Sequence, residues 1–177
     1  MASPRIPDAA LARCPGAGRP PRPHTAAELA RLLRMLHTAG AASIAIGHGR
    51  HPASAAAARV LAAAWAGGPG TVLATASWPA TAASWLRPAR RLAAGRPDAW
   101  VIADTPAGCA QLAMRLTGQP GWAPARTFGF ASLASPDLIT LTGTALTGMT
   151  GPTASGGIWR IGRGLLIRND GAPSAAP

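Results

Sequence analysis

Five consecutive residues, Gly47, His48, Gly49, Arg50 and His51, place two imidazoles and a guanidinium just past an apolar run and just ahead of a helix-forming one. The first turn of a helix carries unpaired N–H groups and partial positive charge, so an anion can bind there. His48 has the chemistry of a general base or a metal ligand, and Arg50 stands beside it. No second His or Glu set completes such a constellation, because His24 and His37 fall in the leading segment and the first predicted helix. A solvated loop is the plain alternative for the same residues. The other reactive position is Asp104, the one acid at the carboxyl end of a predicted strand. With six acidic residues in all, and Glu28 the single glutamate, a paired-carboxylate site is hard to build.

Other chemistries find no support. Ser54, Ser77 and Ser84 lack the G-x-S-x-G context of a nucleophile elbow. Gly156, Gly157, Gly162 and Gly164 lack dinucleotide-binding spacing and read as a hinge or bulge. Cys14 and Cys109 lie far apart, no Cys/His spacing fits structural zinc, and Cys109 reads as a small core residue. No cofactor and no metal is expected.

The elements that must position His48 and Asp104 follow one grammar. Residues 99–103 are an apolar run, Asp104-Thr105-Pro106 interrupts it, and Leu112 and Leu116 continue as a helix. The same strand–loop–helix order occurs over residues 43–61 and 71–92. A fourth short strand covers residues 126–130, and Ser135-Pro136 opens another helix. Ahead of these units, Thr25 as N-cap with Glu28 three residues on predicts a capping box. Leu29, Leu32, Leu33 and Leu36 then form one apolar stripe, and Gly40 ends it. A helix over residues 81–94 buries Trp85, Leu86 and Leu92, with Pro88 inside it as a kink. Trp65, Trp100 and Trp122 read as core. Met149 and residues 151–157 read as a loop, and residues 158–168 as one or two edge strands.

Parallel strands require crossovers that place helices on both faces. The expected fold is therefore α/β, a three-layer sandwich with a mostly parallel sheet of about four to six strands. Residues 24–170 form a single lobe. Residues 1–23 and 171–177, rich in Pro, Ala and Gly, read as disordered tails. Such sheets bind small molecules at the carboxyl ends of their strands.

The chain has 177 residues, 48% of them apolar, enough for one sizeable core. Its formal charge is +11, yet every one of the 17 basic residues is Arg, and they are scattered. Only Arg87, Arg90 and Arg91 cluster, as a solvated helix face. No element is suited to direct sequence-specific reading of nucleic acid. No apolar stretch approaches the ~20 residues that cross a bilayer, so no membrane partner is expected. Residues 1–23 lack the apolar core of a secretion signal, which points to a cytoplasmic protein.

With strands and loops placed, the pattern resembles one lobe of the type I periplasmic-binding fold. In particular it resembles the second lobe of the effector domain in lactose-repressor-like transcription regulators. The resemblance rests on Gly40, residues 43–47, Ser54 and Arg59 in the first unit. It continues through PDAWVIADTPAGCAQLAMRL (residues 97–116) and PARTFGFASLASPDL (residues 124–138). Branched-chain amino-acid-binding-like proteins of the same superfamily resemble it through Pro97-Asp98-Ala99 and the Leu133-to-Leu138 stretch. The resemblance implies a ligand held at the strand ends by Arg59, Trp78 and Asp104, with His48, Arg50 and Phe130 on the same rim. Arg59 would act as a forked donor, Trp78 as a flat apolar face and Asp104 as an acceptor. Two positions depart from the pattern: Ala103 stands where Asn is usual, and Ala131 where Asp is usual. Neither the helix-turn-helix nor the first lobe of the regulators is expected within these residues.

The expected function is thus a non-enzymatic lobe that binds a sugar or an amino-acid-like molecule. It would sense a solute for a transcription regulator or resemble a solute-binding protein, working as a homodimer or with a partner lobe. The alternatives are a small α/β enzyme using His48 or Asp104, and an inactive fragment of a regulator.

Overall fold

The computed structural model describes residues 6–81 and 84–170. The helices are α1 (Asp8–Ala12), α2 (Ala26–Thr38), α3 (Pro52–Ala66), α4 (Leu86–Ala93), α5 (Pro106–Leu116) and α6 (Pro136–Thr142). The strands are β1 (Ser43–Gly49), β2 (Thr71–Trp78), β3 (Ala99–Ala103), β4 (Thr127–Gly129), β5 (Thr150–Pro152), β6 (Ile158–Ile161) and β7 (Leu166–Asn169). They form one sheet in the order β2-β1-β3-β4-β5-β6-β7. The first five strands in that order pair in parallel, and β6 and β7 run antiparallel.

Strand alternation sends neighbouring side chains to opposite faces, and both faces are covered. Ile44 and Ile46 of β1, Val101 of β3 and Phe128 of β4 pack with Leu32 and Leu36 of α2 and Ala57 and Leu61 of α3. Ala45, Trp100 and Ile102 point the other way, onto Leu92 of α4, Cys109 and Leu112 of α5 and Leu138 of α6. This is the expected α/β three-layer sandwich. The capping box at the head of α2 is formed: Thr25 Oγ1 accepts from Glu28 N at 3.0 Å, and Glu28 Oε2 accepts from Thr25 N at 3.3 Å. Asp98 ties the starts of β1 and β3 together by accepting from Ser43 N and Ser43 Oγ, each at 2.8 Å.

Four local expectations change. The sheet has seven strands rather than four to six, because β5 lies where a Gly- and Thr-rich loop was expected. Gly151 explains the disguise: a Cβ there would overlap the Gly129 carbonyl oxygen and press on the Trp159 ring. The residue that reads as loop is the one that lets β5 approach β4. Helix α4 begins at Leu86, so Pro88 is its third residue. There its missing N–H would have had no helical partner, and it need not kink the helix. Part of the expected 81–94 helix, residues 82–83, lies outside the described residues. Strand β1 runs on to Gly49, so His48 belongs to a strand and not to a loop.

The fourth change is at the N-terminus. Residues 6–23, expected to be disordered, carry α1 and cross the carboxyl edge of the sheet, with Ile6, Cys14 and Ala17 buried. Isolated long-range bonds hold this strap: Ala107 N donates to Ala17 O at 2.9 Å, and Ile6 N to Gln111 Oε1 at 3.3 Å. Such contacts leave no periodic trace in sequence. Residues 1–5 and 171–177, the remainder of the expected tails, lie outside the described residues. Among the described residues no helix is long and apolar enough to cross a membrane.

Candidate functional site at the carboxyl edge

From β1 the chain moves outward to β2, then returns past β1 to β3. Helix α3, which follows β1, covers one face, and α5, which follows β3, covers the other. The connections leaving β1 and β3 therefore diverge and open a crevice at the carboxyl edge. A cleft of about 520 Å³ lies there, lined by Gly49, Arg50 and His51 after β1, Pro79 and Ala80 after β2, and Asp104 and Thr105 after β3. Gly108 and Gln111 of α5 form one wall, and Leu11, Gly18 and Pro20 of the strap form another.

Asp104 is the chemical centre of this cleft. It is 5% exposed. Its Oδ2 accepts from Trp78 Nε1 at 2.6 Å and its Oδ1 from Thr105 N at 2.7 Å. Burial pushes its pKa up to about 6, against the pull of those two hydrogen bonds toward the charged form. Glycine is required on both sides, since a Cβ at Gly49 or Gly108 would overlap the carboxylate oxygens. Behind it, burial and then the Asp104 charge push the Cys109 thiol up, which keeps it protonated. The head of α5 is already satisfied in part: Thr105 Oγ1 accepts from Gly108 N at 3.1 Å, and Ala17 O takes the Ala107 N–H.

A second, smaller depression of about 270 Å³ lies over the ends of β3, β4 and β5. Glu28, Ser132 and Ser135 line it, with Arg19 and Arg22 of the strap at its mouth. Glu28 Oε1 accepts from Ala131 N at 2.7 Å, and burial pushes its carboxyl up despite that bond. Ser132 Oγ donates to Asp104 O at 2.9 Å, which joins the walls of the two cavities.

The six residues expected on the rim separate. Asp104 and Trp78 meet, and Arg50 stands exposed at the cleft mouth with its N–H on Trp78 O at 3.0 Å. Trp78 offers no flat face, because its ring is buried against Trp85 at 5.9 Å and only its indole N–H reaches the site. His48 is half-buried, with Nδ1 2.8 Å from Gly49 O, and does not line the cleft. Arg59 is exposed on α3, whose inward positions are Ser54, Ala57, Ala58, Leu61 and Trp65, and it lines no part of the cleft. Phe130 is buried in the core beside α2, edge-on to His24 at 6.1 Å. Sequence reasoning singled out His51 with His48 and Arg50 but missed Gly49 and Gly108 as cradle residues, Gln111 and the strap. A signal existed for Gly108, since Thr105-Pro106 opening a helix places a glycine against the preceding acid. Among the described residues no three His, Cys, Asp or Glu side chains gather as a metal site.

No family model and no curated protein matches the chain. Solved structures do match. A candidate branched-chain amino acid ABC transporter from Rhodospirillum rubrum aligns with TM-score 0.60 at 19% identity, covering 70% of this chain and 35% of that one. A substrate-binding periplasmic protein from Ralstonia solanacearum aligns with TM-score 0.56 at 20% identity, covering 77% and 39%. An extracellular ligand-binding receptor from Rhodopseudomonas palustris HaA2 aligns with TM-score 0.60 at 15% identity, covering 73% and 37%. The chain thus spans 35 to 39% of the length of these structures. The fold is that of the type I periplasmic-binding proteins, as the motifs over residues 97–116 and 124–138 implied.

Proposed function

We propose that the chain is a small-molecule-binding lobe whose ligand occupies the cleft at the ends of β1, β2 and β3. One observation carries this reading: at the point where strand order reverses, a buried carboxylate lies at an open cleft, between two glycines whose missing side chains make room for it. The cleft volume falls within the ~300–1,000 Å³ usual for small-molecule sites. The solved neighbours carry the descriptions of an amino acid transporter, a substrate-binding protein and a ligand-binding receptor. By that likeness the ligand class is an amino-acid-like solute, and the regulator resemblance of the residue motifs adds a sugar as the other candidate. Each neighbour is more than twice as long as the region matched, so a partner lobe or a second copy would close the open side. A sensing role in a cytoplasmic transcription regulator is the finer form of this reading, supported by the residue motifs. Binding is favoured over catalysis because His48 does not line the cleft, and Asp104 there already accepts two hydrogen bonds.

A thermal-shift panel of sugars and L-amino acids on the full chain tests the proposal. At least one compound raises the melting temperature by mass action. Ala80→Trp, which fills the cleft from a surface loop, removes that shift, and Arg50→Ala reduces it. A shift that survives Ala80→Trp intact places the ligand elsewhere and overturns the assignment.

A further inference from the structure

We infer that the groove between α2 and β6 is a second site, built for an organic polyanion that carries an apolar or aromatic body. The groove has a volume of about 610 Å³ and lies away from the cleft just described. Arg31 and Arg34 reach it from α2, and Arg160 from β6. Its apolar surface comes from Met35, Phe128 and Ile158, and no Asp or Glu lines it.

The topology explains why the groove exists. Trp159 and Ile161 of β6 are buried in the core on the α5 side, so the alternate residues Ile158 and Arg160 face the α2 side. In register with Arg160 on β7 lies Ile167, which is 57% exposed. Among the described residues only α2 and α3 pack on this face, and α2 reaches across β5. The end of the sheet beyond α2 thus presents apolar and cationic side chains that no helix among the described residues covers.

Among the described residues these charges have no acidic partner. Arg31 Nε is buried with no hydrogen-bond partner. Glu28, one turn earlier on the same helix, gives its two oxygens to Ala131 N and Thr25 N. Guanidinium groups present forked donors matched to phosphate or carboxylate oxygens. Three of them around an apolar floor select a ligand with several negative charges at one end and a ring or chain at the other. A second copy of this chain is a poor occupant, because both would carry a net charge of +11. The arginines of α4 sharpen the contrast. Arg87 and Arg91 line a hollow with Thr75, Ala76, Ser77 and Pro88, which holds similar charge without a large apolar floor.

The probe is a fluorescent N-methylanthraniloyl derivative of ATP, titrated into the full chain at about 0.15 M salt, where loose charge attraction is screened. Saturable binding is expected. Arg34→Gln with Arg160→Gln weakens it about tenfold or more, the loss of charge-assisted hydrogen bonds. Arg87→Gln with Arg91→Gln removes equal charge and changes it less than about twofold. Unlabelled ATP competes at least about tenfold better than inorganic triphosphate, because only ATP can use the apolar floor. Ala80→Trp leaves all of this unchanged, so this site and the carboxyl-edge cleft fail separately. Equal weakening by both Arg pairs, competition by triphosphate as strong as by ATP, stronger competition by duplex DNA, or absence of saturation would each overturn the inference. Melting curves of the variants check that all three stay folded.

Discussion

The two ends of the sheet differ in how they hold charge. Where β2, β1 and β3 run parallel, one acid is sunk beneath a cleft, fixed by an indole N–H and flanked by glycines. Where β6 and β7 turn antiparallel beyond β5, arginines stand in an open groove over apolar side chains. The first arrangement has a desolvated carboxylate whose geometry is set by the fold. The second has three cations whose groove no acidic side chain among the described residues lines. The lesson is that the parallel end buries and fixes its charge, whereas the antiparallel end leaves its charge open to solvent.

The sharpest way to break the contrast is Trp78→Ala. The change removes a fully buried ring and takes one hydrogen bond from the Asp104 carboxylate. It should cost about 4 kcal/mol of stability, read as a large fall in the urea midpoint. Arg160→Ala at the other end should cost less than about 0.5 kcal/mol in the same assay.

Next in size is the pH dependence of the buried acid. The folded-state pKa of Asp104 is about 6, against an ordinary 3.8. A raised carboxyl pKa means that protonation favours folding. Its contribution is complete below pH 3.8 and is lost as pH climbs through 6. The difference amounts to about 3 kcal/mol. Wild type should therefore lose stability relative to Asp104→Asn between pH 4 and pH 7, measured by urea unfolding at several pH values. Glu28 shifts in the same direction but is present in both proteins, so it cancels. Parallel curves for the two proteins would mean that the acid is not desolvated.

Gly151→Ala tests the join between the two ends. The added methyl overlaps the Gly129 carbonyl oxygen, so β5 must shift away from β4 at a cost of about 1–3 kcal/mol. Hydrogen exchange should quicken in β5 and β6 and stay unchanged in β1. The smallest effect belongs to Ile167→Ser on the edge strand, within about 0.5 kcal/mol in thermal melts, because that side chain already faces solvent.

The repeated strand–loop–helix units and the Thr25–Glu28 capping box were legible because period and spacing are local properties. Asp104 was legible for the same reason, as an acid at the end of an apolar run. Arg59 and Phe130 were misplaced because a motif fixes order along the chain and not the side of a helix or sheet on which a side chain emerges. Trp78 lies at the rim, but its ring direction depends on Gly47, across the β1–β2 pairing, which leaves space for it. The strap over residues 6–23 and strand β5 depend on single long-range contacts such as Ala17 O with Ala107 N, and no sequence period encodes those.

The most direct test of the carboxyl-edge site is the indole ¹⁵N–¹H resonance of Trp78, assigned through Trp78→Phe and followed while the stabilising solute is titrated. The account predicts that this signal and the amides of Thr105 and Gly108 shift together, saturating at the affinity seen in the melts. A bound solute that leaves them still and moves resonances of Arg31, Arg34 or Arg160 instead would contradict it.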